Sequence, residues 1–223
     1  MLESEIGGKS MSKLIGIMGE SGAGKTTSLR TLDPATTYII DADKKGLSWK
    51  GWKQQYNNEN RNYMATDNPA TIRSILKNIN DKAPHVKVVV VDTLNGVMVA
   101  DEMRRSKEKG FDKWQDLAQC VWETVDDALT YRDDLTVVFI CHSQTEINDS
   151  GYLWTRIKTS GKKLDKIVLE SKFNTVLLAK CVDGKHIFET QSNFSTAKSP
   201  LGAFESKEID NNMADVLKAL EEF

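Results

Sequence analysis

The sequence is short of three things that would each have pointed to a function. Cysteine is scarce: Cys120, Cys141 and Cys181 are an odd set with no CxxC spacing. This argues against a disulfide framework or a thiolate zinc site and reads as reduced core thiols of a cytosolic protein. Charge of one sign is lacking as well. A net charge of −2 over 223 residues draws the chain to neither nucleic acid nor an anionic membrane, so any such contact has to be a local patch. No apolar run approaches the length of a membrane span, and the first residues carry no signal-peptide h-region. A soluble, cytoplasmic chain without a membrane partner is expected. Internal repeats and low-complexity tracts are also missing, and the length fits one α/β domain with a core of ordinary size. Residues 1–12 read as a flexible polar tail, with Met11 a second candidate start, and residues 13–223 as the domain.

What is present is concentrated in residues 14–27, Leu-Ile-Gly-Ile-Met-Gly-Glu-Ser-Gly-Ala-Gly-Lys-Thr-Thr. The pattern G-x-x-x-x-G-K-[ST] is met by Gly19, Gly24, Lys25 and Thr26, after a β-branched apolar run and before Ser28-Leu29-Arg30, which continue helically. Glycine lets the backbone approach phosphate oxygens, and main-chain N–H groups at the mouth of a helix form an anion cradle. The loop residues Gly19, Glu20, Ser21, Gly22, Ala23, Gly24, Lys25, Thr26 and Thr27 are therefore the nucleotide contacts expected for ATP. Lys25 reaches the β- and γ-phosphates and the Thr26 hydroxyl ligates Mg²⁺.

Downstream, Thr36-Thr37-Tyr38-Ile39-Ile40 reads as a second strand ending in Asp41-Ala42-Asp43, which puts two carboxylates at the edge where parallel sheets bind ligands. Trp49 and Trp52, among lysines, fit packing on the core better than stacking on bases. Asn68-Pro69 caps a helix whose Ile72, Ile75, Leu76 and Ile79 share a face. Residues 86–93 form a buried strand ending in Asp92, a second Mg²⁺ group opposite Thr26. The charged stretch 101–116 is a surface loop or a helix start, and Leu117, Val121, Val125 and Leu129 mark a helix. A fourth strand, 135–142, ends in His142, for which a γ-phosphate role and an ordinary structural role weigh equally. Residues 145–163 read as a loop clustering Arg156, Lys158, Lys162 and Lys163 with aromatics, a nucleic-acid candidate or else a solvated strand face. Residues 173–180 and 186–190 make a β-hairpin through Asp183-Gly184, and a final helix buries Met213, Val216, Leu217 and Leu220.

This order of elements resembles the core ATPase domain of RecA-type recombinases over about residues 14–204. In its compact form it is similar to bacteriophage-encoded ATPases of single-strand annealing and recombination. The resemblance implies a mainly parallel α/β sheet with helices on both faces and a C-terminal hairpin. It implies a catalytic set of Lys25, Asp43 as general base, Asp92, His142 as γ-phosphate sensor and Lys198 reaching a neighbouring protomer's nucleotide. It also implies single-stranded DNA bound at 101–116 and 145–163, self-association as a ring or filament, recombination or replication proteins as partners, and a host-cytoplasm location. Asp43 stands where the family has Glu, His142 where it has an amide, and the N-terminal polymerisation segment of the family has no counterpart. Asp41 competes with Asp43 as the base. The alternatives are an assembly ATPase whose two loops bind protein, and a P-loop small-molecule kinase, whose Arg-rich lid and acceptor pocket are not evident.

Overall fold

A computed structural model describes residues 11–147, 150–159 and 168–223. Its centre is β1 (Lys13–Gly19), hydrogen-bonded in parallel to β5 (Thr136–Ile147) on one side and to β7 (Thr175–Val182) on the other. Beyond β5 come β4 (Val88–Asp92), β2 (Thr37–Asp41) and β3 (Tyr63–Ala65), all parallel. Beyond β7 the sheet turns antiparallel through β8 (Lys185–Glu189) and β9 (Glu208–Asp210). The nine-stranded sheet is completed by β6 (Leu153–Ile157), which folds back on the far half of β5.

The central strands are apolar throughout because both faces are covered. Side chains alternate between the faces with the period of two that a pleated strand imposes. Leu14, Met18, Val89, Val91, Val137 and Phe139 point into one core layer and Ile15, Ile17, Val88, Val90, Val138 and Ile140 into the other. The first layer is closed by α2 (Pro69–Lys82), α3 (Leu94–Arg104) and α4 (Phe111–Ala128), through Ile72 and Leu76, Val97 and Met98, and Val121 and Val125. The second is closed by a 3₁₀ turn at Thr26–Thr31, the four-residue α1 (Trp52–Gln55) and α5 (Met213–Ala219). The expected α/β class with helical cover on both faces is what the chain adopts.

Local chemistry sets the boundaries. The Asn68 side chain accepts a hydrogen bond from Thr71 N (3.0 Å), and Pro69 opens α2. Asn212 accepts from Ala214 N (3.0 Å) and caps α5. Asp183 (φ 50°) and Gly184 (φ 79°) both have positive φ, which is the turn that joins β7 to β8 without splaying them.

Three expectations are corrected and one open alternative is decided. The segment after the phosphate-loop motif is a six-residue 3₁₀ turn, not an α-helix, ending ahead of Asp33-Pro34. Of the two readings of 101–116, the helical one holds for most of it, at the end of α3 and the start of α4. Its arginines are engaged, Arg104 with Asp67 (2.9 Å) and Arg105 with Asp116 (3.0 Å). Where described, 145–163 is a hairpin and not a loop, because Ser143 to Ile147 pair with Ile157 to Leu153; Lys162 and Lys163 lie outside the described residues. Cys181 is exposed, so only Cys141, buried in the sheet, and half-buried Cys120 behave as interior thiols.

One buried amide couples three elements. Asn95, on α3, accepts from His142 N (2.7 Å) on β5 and donates to Lys158 O (2.7 Å) just past β6. Removing it leaves those main-chain groups without their partner. Asn95→Ala is expected to cost about 1–3 kcal/mol, read as a lowered urea midpoint at unchanged m-value.

Candidate functional site

The carboxyl ends of β1, β2 and β4, together with the middle of β5, bring the sequence candidates to one edge of the sheet. The ordering is decisive: β5 lies between β1 and β4, so His142 stands in register beside Gly19, with Asp92 on the strand beyond. Asp41 is paired in register with Asp92 from β2.

Lys25 folds over the loop, its Nζ donating to Gly19 O (2.8 Å) and Glu20 O (2.7 Å). Burial lowers its pKa, and the charge of Asp92 pulls it back up. The ammonium is thus desolvated and held by neutral carbonyls that a polyphosphate outbids. Across the gap spanned by β5, Thr26 Oγ1 donates to Asp92 Oδ2 at 2.6 Å. The other oxygen of Asp92, Oδ1, is buried without a hydrogen-bond partner among the described residues. Desolvation is the main cause that raises the Asp92 pKa, opposed by the Thr26 hydrogen bond and by Lys45.

The two carboxylates at the end of β2 have different partners. Asp41 is 1 % exposed; its Oδ2 accepts from Gly46 N (2.7 Å) and Tyr63 OH (2.7 Å), fixing the turn that follows. Asp43 sits at the open edge, where Oδ1 accepts from Thr93 Oγ1 (3.0 Å) and Oδ2 is ion-paired with Lys45 Nζ (2.6 Å). Gly96, in the first turn of α3, leaves the space that this carboxylate fills, since a Cβ there would collide with Asp43 Oδ1. His142 has its pKa lowered, first by desolvation and then by Lys25, so it is a neutral imidazole at neutral pH.

On the other side of the loop, Gly24 (φ 93°) lies under the His186 ring; a Cβ there would stand 2.9 Å from the imidazole. Both the positive φ and this contact demand glycine.

The remaining candidates lie elsewhere. Lys198 is not on an exposed turn: its main chain exchanges two hydrogen bonds with Val176 (2.8 and 2.9 Å), and its half-buried ammonium is lowered in pKa by desolvation, with Glu170 opposing. Val176 pairs with Gly16, three residues short of Gly19, so the Lys198 backbone is about 10 Å below the ligand edge. Arg156 pairs with Glu146 (3.2 Å) across the hairpin, whereas Lys158 is exposed. Trp49 and Trp52 pack on the second core layer, as expected, Trp49 donating to Gln55 Oε1 (2.7 Å).

Sequence reasoning passed over Lys45, Thr93 and His186. Thr93 directly follows the flagged Asp92 and Lys45 stands two residues after Asp43, so their proximity was readable. His186 gives no local signal and reaches the loop only because β7 pairs with β1.

Mg²⁺ fits the donors present: Thr26 Oγ1 and the unpaired Asp92 Oδ1 are hard oxygen ligands of the kind it takes. Among the described residues no group of three or more His, Cys, Asp or Glu is placed to hold a metal without a substrate's help. No described helix is long and apolar enough to cross a membrane.

A phosphate loop opening from the central strand, facing a buried aspartate two strands away, defines a P-loop nucleoside-triphosphatase. Residues 12–200 match the family model described as AAA domain, and the chain belongs to that family of nucleotide-binding ATPases. A search of curated proteins finds no match.

The unpaired carboxylate generates a prediction with a definite sign. A folded-state pKa raised above the ordinary carboxylate value means that stability falls as pH climbs from that value through the raised one. Asp92→Asn removes this titration. Without ligand at pH 7 the variant is expected to be more stable than the parent. It should also lose the rise in Tm that Mg²⁺ with ATP gives the parent. Thermal melts from pH 5 to 8, with and without Mg²⁺ and ATP, measure both.

Proposed function

We propose that this protein hydrolyses ATP with Mg²⁺ and uses the nucleotide state to control the grip of the 143–157 hairpin on single-stranded DNA. The observation that carries the hydrolytic part is the convergence of Lys25, Thr26, Asp92 and Asp43 on one edge, with a buried carboxylate oxygen left unpartnered.

The triphosphate replaces the Gly19 and Glu20 carbonyls as the partner of Lys25, whose ammonium then offsets charge on the β- and γ-oxygens. Mg²⁺, held by Thr26 and by Asp92 directly or through its waters, supplies further neutralisation of those oxygens when bound. Asp43 is oriented by Thr93 through one oxygen, and its other oxygen takes the proton of the attacking water as the γ-phosphorus to bridging-oxygen bond breaks. Lys45 covers that second oxygen in the ligand-free chain; a γ-phosphate gives its ammonium a competing anion and uncovers the base. Asp41, held by Gly46 and Tyr63, serves the turn and not the proton transfer.

The DNA part rests on the RecA-type resemblance and on one feature of the hairpin. β5 runs unbroken from His142, beside the phosphate loop, to Ile147, and Asn95 ties His142 to the far strand's end at Lys158. Near the tip Tyr152 and Phe194 are exposed with ring centroids 6.3 Å apart, and aromatic faces of this kind stack on unpaired bases. Exposed Lys158 adds a phosphate contact.

Two measurements test the two parts separately. Asp43→Asn should retain ATP with an unchanged Kd and lose about 10²- to 10⁴-fold in kcat, whereas Asp41→Asn should chiefly lower stability. Full kcat in Asp43→Asn overturns the base assignment. For the partner, fluorescence anisotropy of labelled single-stranded DNA should show ATP-dependent binding that weakens steeply with salt and that Tyr152→Ala reduces. Binding indifferent to salt and nucleotide favours a protein partner on the same hairpin.

A further inference from the structure

The turn after β2 carries Asp43 and Lys45 to the ligand edge, and the residue between them has a backbone that lysine seldom adopts. Lys44 has φ 57°, in the left-handed region, where a Cβ is crowded and glycine, or an occasional Asn or Asp, is the usual occupant. The flanks of the turn are pinned through main-chain groups. Ala42 N and Asp43 N both donate to Asp92 O (2.7 and 3.4 Å), and Gly46 N donates to Asp41 Oδ2 (2.7 Å). Between them stand Lys44 and Lys45, whose main chains make no such bond among the described residues. What holds Lys44 is its side chain, with Nζ ion-paired to Asp67 Oδ2 at 2.7 Å.

Asp67 is fixed in turn from α3. Arg104, the last residue of that helix, donates through Nη1 to Asp67 Oδ1 (2.9 Å) and through Nη2 to Asp67 O (2.8 Å). The Lys44 hydrogen bond, and after it Arg104, hold the Asp67 carboxyl below its ordinary pKa, so it stays ionised as the acceptor of both. The first turn of α3 meets the same turn directly, since a Cβ on Gly96 would stand 2.3 Å from Asp43 Oδ1 and 3.2 Å from Ala42 O. The helix therefore braces the turn at two points about 12 Å apart along its axis, by contact at Gly96 and through Asp67 at Arg104. The Lys44 side chain is 51 % exposed, and an ion pair of that kind adds little to global stability. Its leverage is local. Resting on the reading of Asp43 as the base, we infer that Asp67 is a positioning residue for hydrolysis: anchored by Arg104, it keeps Lys44 left-handed and so sets how Asp43 and Lys45 leave the turn. A Lys44 released to negative φ swings the chain between its two neighbours and takes the base out of line with the water it activates.

The test compares variants of the full chain by steady-state ATP hydrolysis with Mg²⁺ and by calorimetric Kd for the non-hydrolysed imido analogue of ATP. Asp67→Asn is expected to lower kcat about tenfold or more while KM and the analogue Kd stay within about twofold of the parent, because the base is misplaced and the phosphate loop is untouched. Lys44→Ala, which loses the ammonium and keeps a Cβ, should fall as far. Lys44→Gly loses the same ammonium but takes positive φ unaided, so it should keep kcat close to the parent, and adding Asp67→Asn to it should cost nothing more. Equal losses in Lys44→Ala and Lys44→Gly overturn the inference, as does a further loss on adding Asp67→Asn to Lys44→Gly, or a parental kcat in Asp67→Asn. An analogue Kd that weakens in step with kcat also overturns it, since the phosphate loop is then what was disturbed. All of these leave the hydrolytic reading standing, provided that the parent turns ATP over and Asp43→Asn does not. A parent without turnover, or full kcat in Asp43→Asn, removes that reading and this one with it. The comparison of Lys44→Ala with Lys44→Gly leaves Asp67 unaltered, so misfolding of Asp67→Asn keeps the test intact.

Discussion

The hydrogen bond from Thr26 to Asp92 spans the gap between two strands that do not touch. β1 carries the loop, β4 carries the carboxylate, and β5 lies between them as a spacer. That spacer sets the width of the site and brings His142, the residue in register with Gly19, to the floor. Because the strands are buried on both faces, none of the three can slip by one residue without turning its core side chains into the wrong layer. The positions of Lys25, Asp92 and His142 are therefore consequences of core packing. What the packing leaves is a desolvated cation on one side and a half-satisfied carboxylate on the other, a pairing that only an anion with a cation of its own resolves fully.

The division of labour between Asp41 and Asp43 follows from strand geometry. Residues two apart on an extended strand share a face, but β2 ends at Asp41, so the chain beyond is free to turn. Asp41 spends its oxygen on that turn, and Asp43 is carried out to the rim where Thr93 can orient it. Lys45 completes the arrangement as a counter-charge held two residues away. The carboxylate that holds the turn and the one presented at the rim are thus different residues, two positions apart.

Much of this was legible in the sequence where one residue type has one physical use. Gly24, Lys25 and Thr26 in a strand-to-turn context, the apolar run ending in Asp92, and the Asn68-Pro69 start of α2 were each decided by local chemistry. What escaped was long-range. The hairpin of β5 and β6 read as a loop because its strands are polar, exposed and rich in charge, so period-two alternation has no core face to report. The segment around Lys198 is a strip laid along β7, a placement set by its backbone pairing with Val176. His186 comes to the loop from a chain segment far away in sequence, through strand pairings that leave no periodic trace.

The outer boundaries of the sheet bear on how copies of this chain could meet. Each end of the main sheet is a strand of only three residues, β3 and β9. The free side of β6 is already engaged at Thr155, which bonds Phe194 O (2.9 Å) and accepts from Thr196 N (2.9 Å). Short or covered borders offer little main-chain ladder to a second sheet. A ring or filament of this protein would then be joined by side-chain surfaces and shared ligand, making it separable by mutation and by nucleotide release instead of locked by continuous backbone pairing.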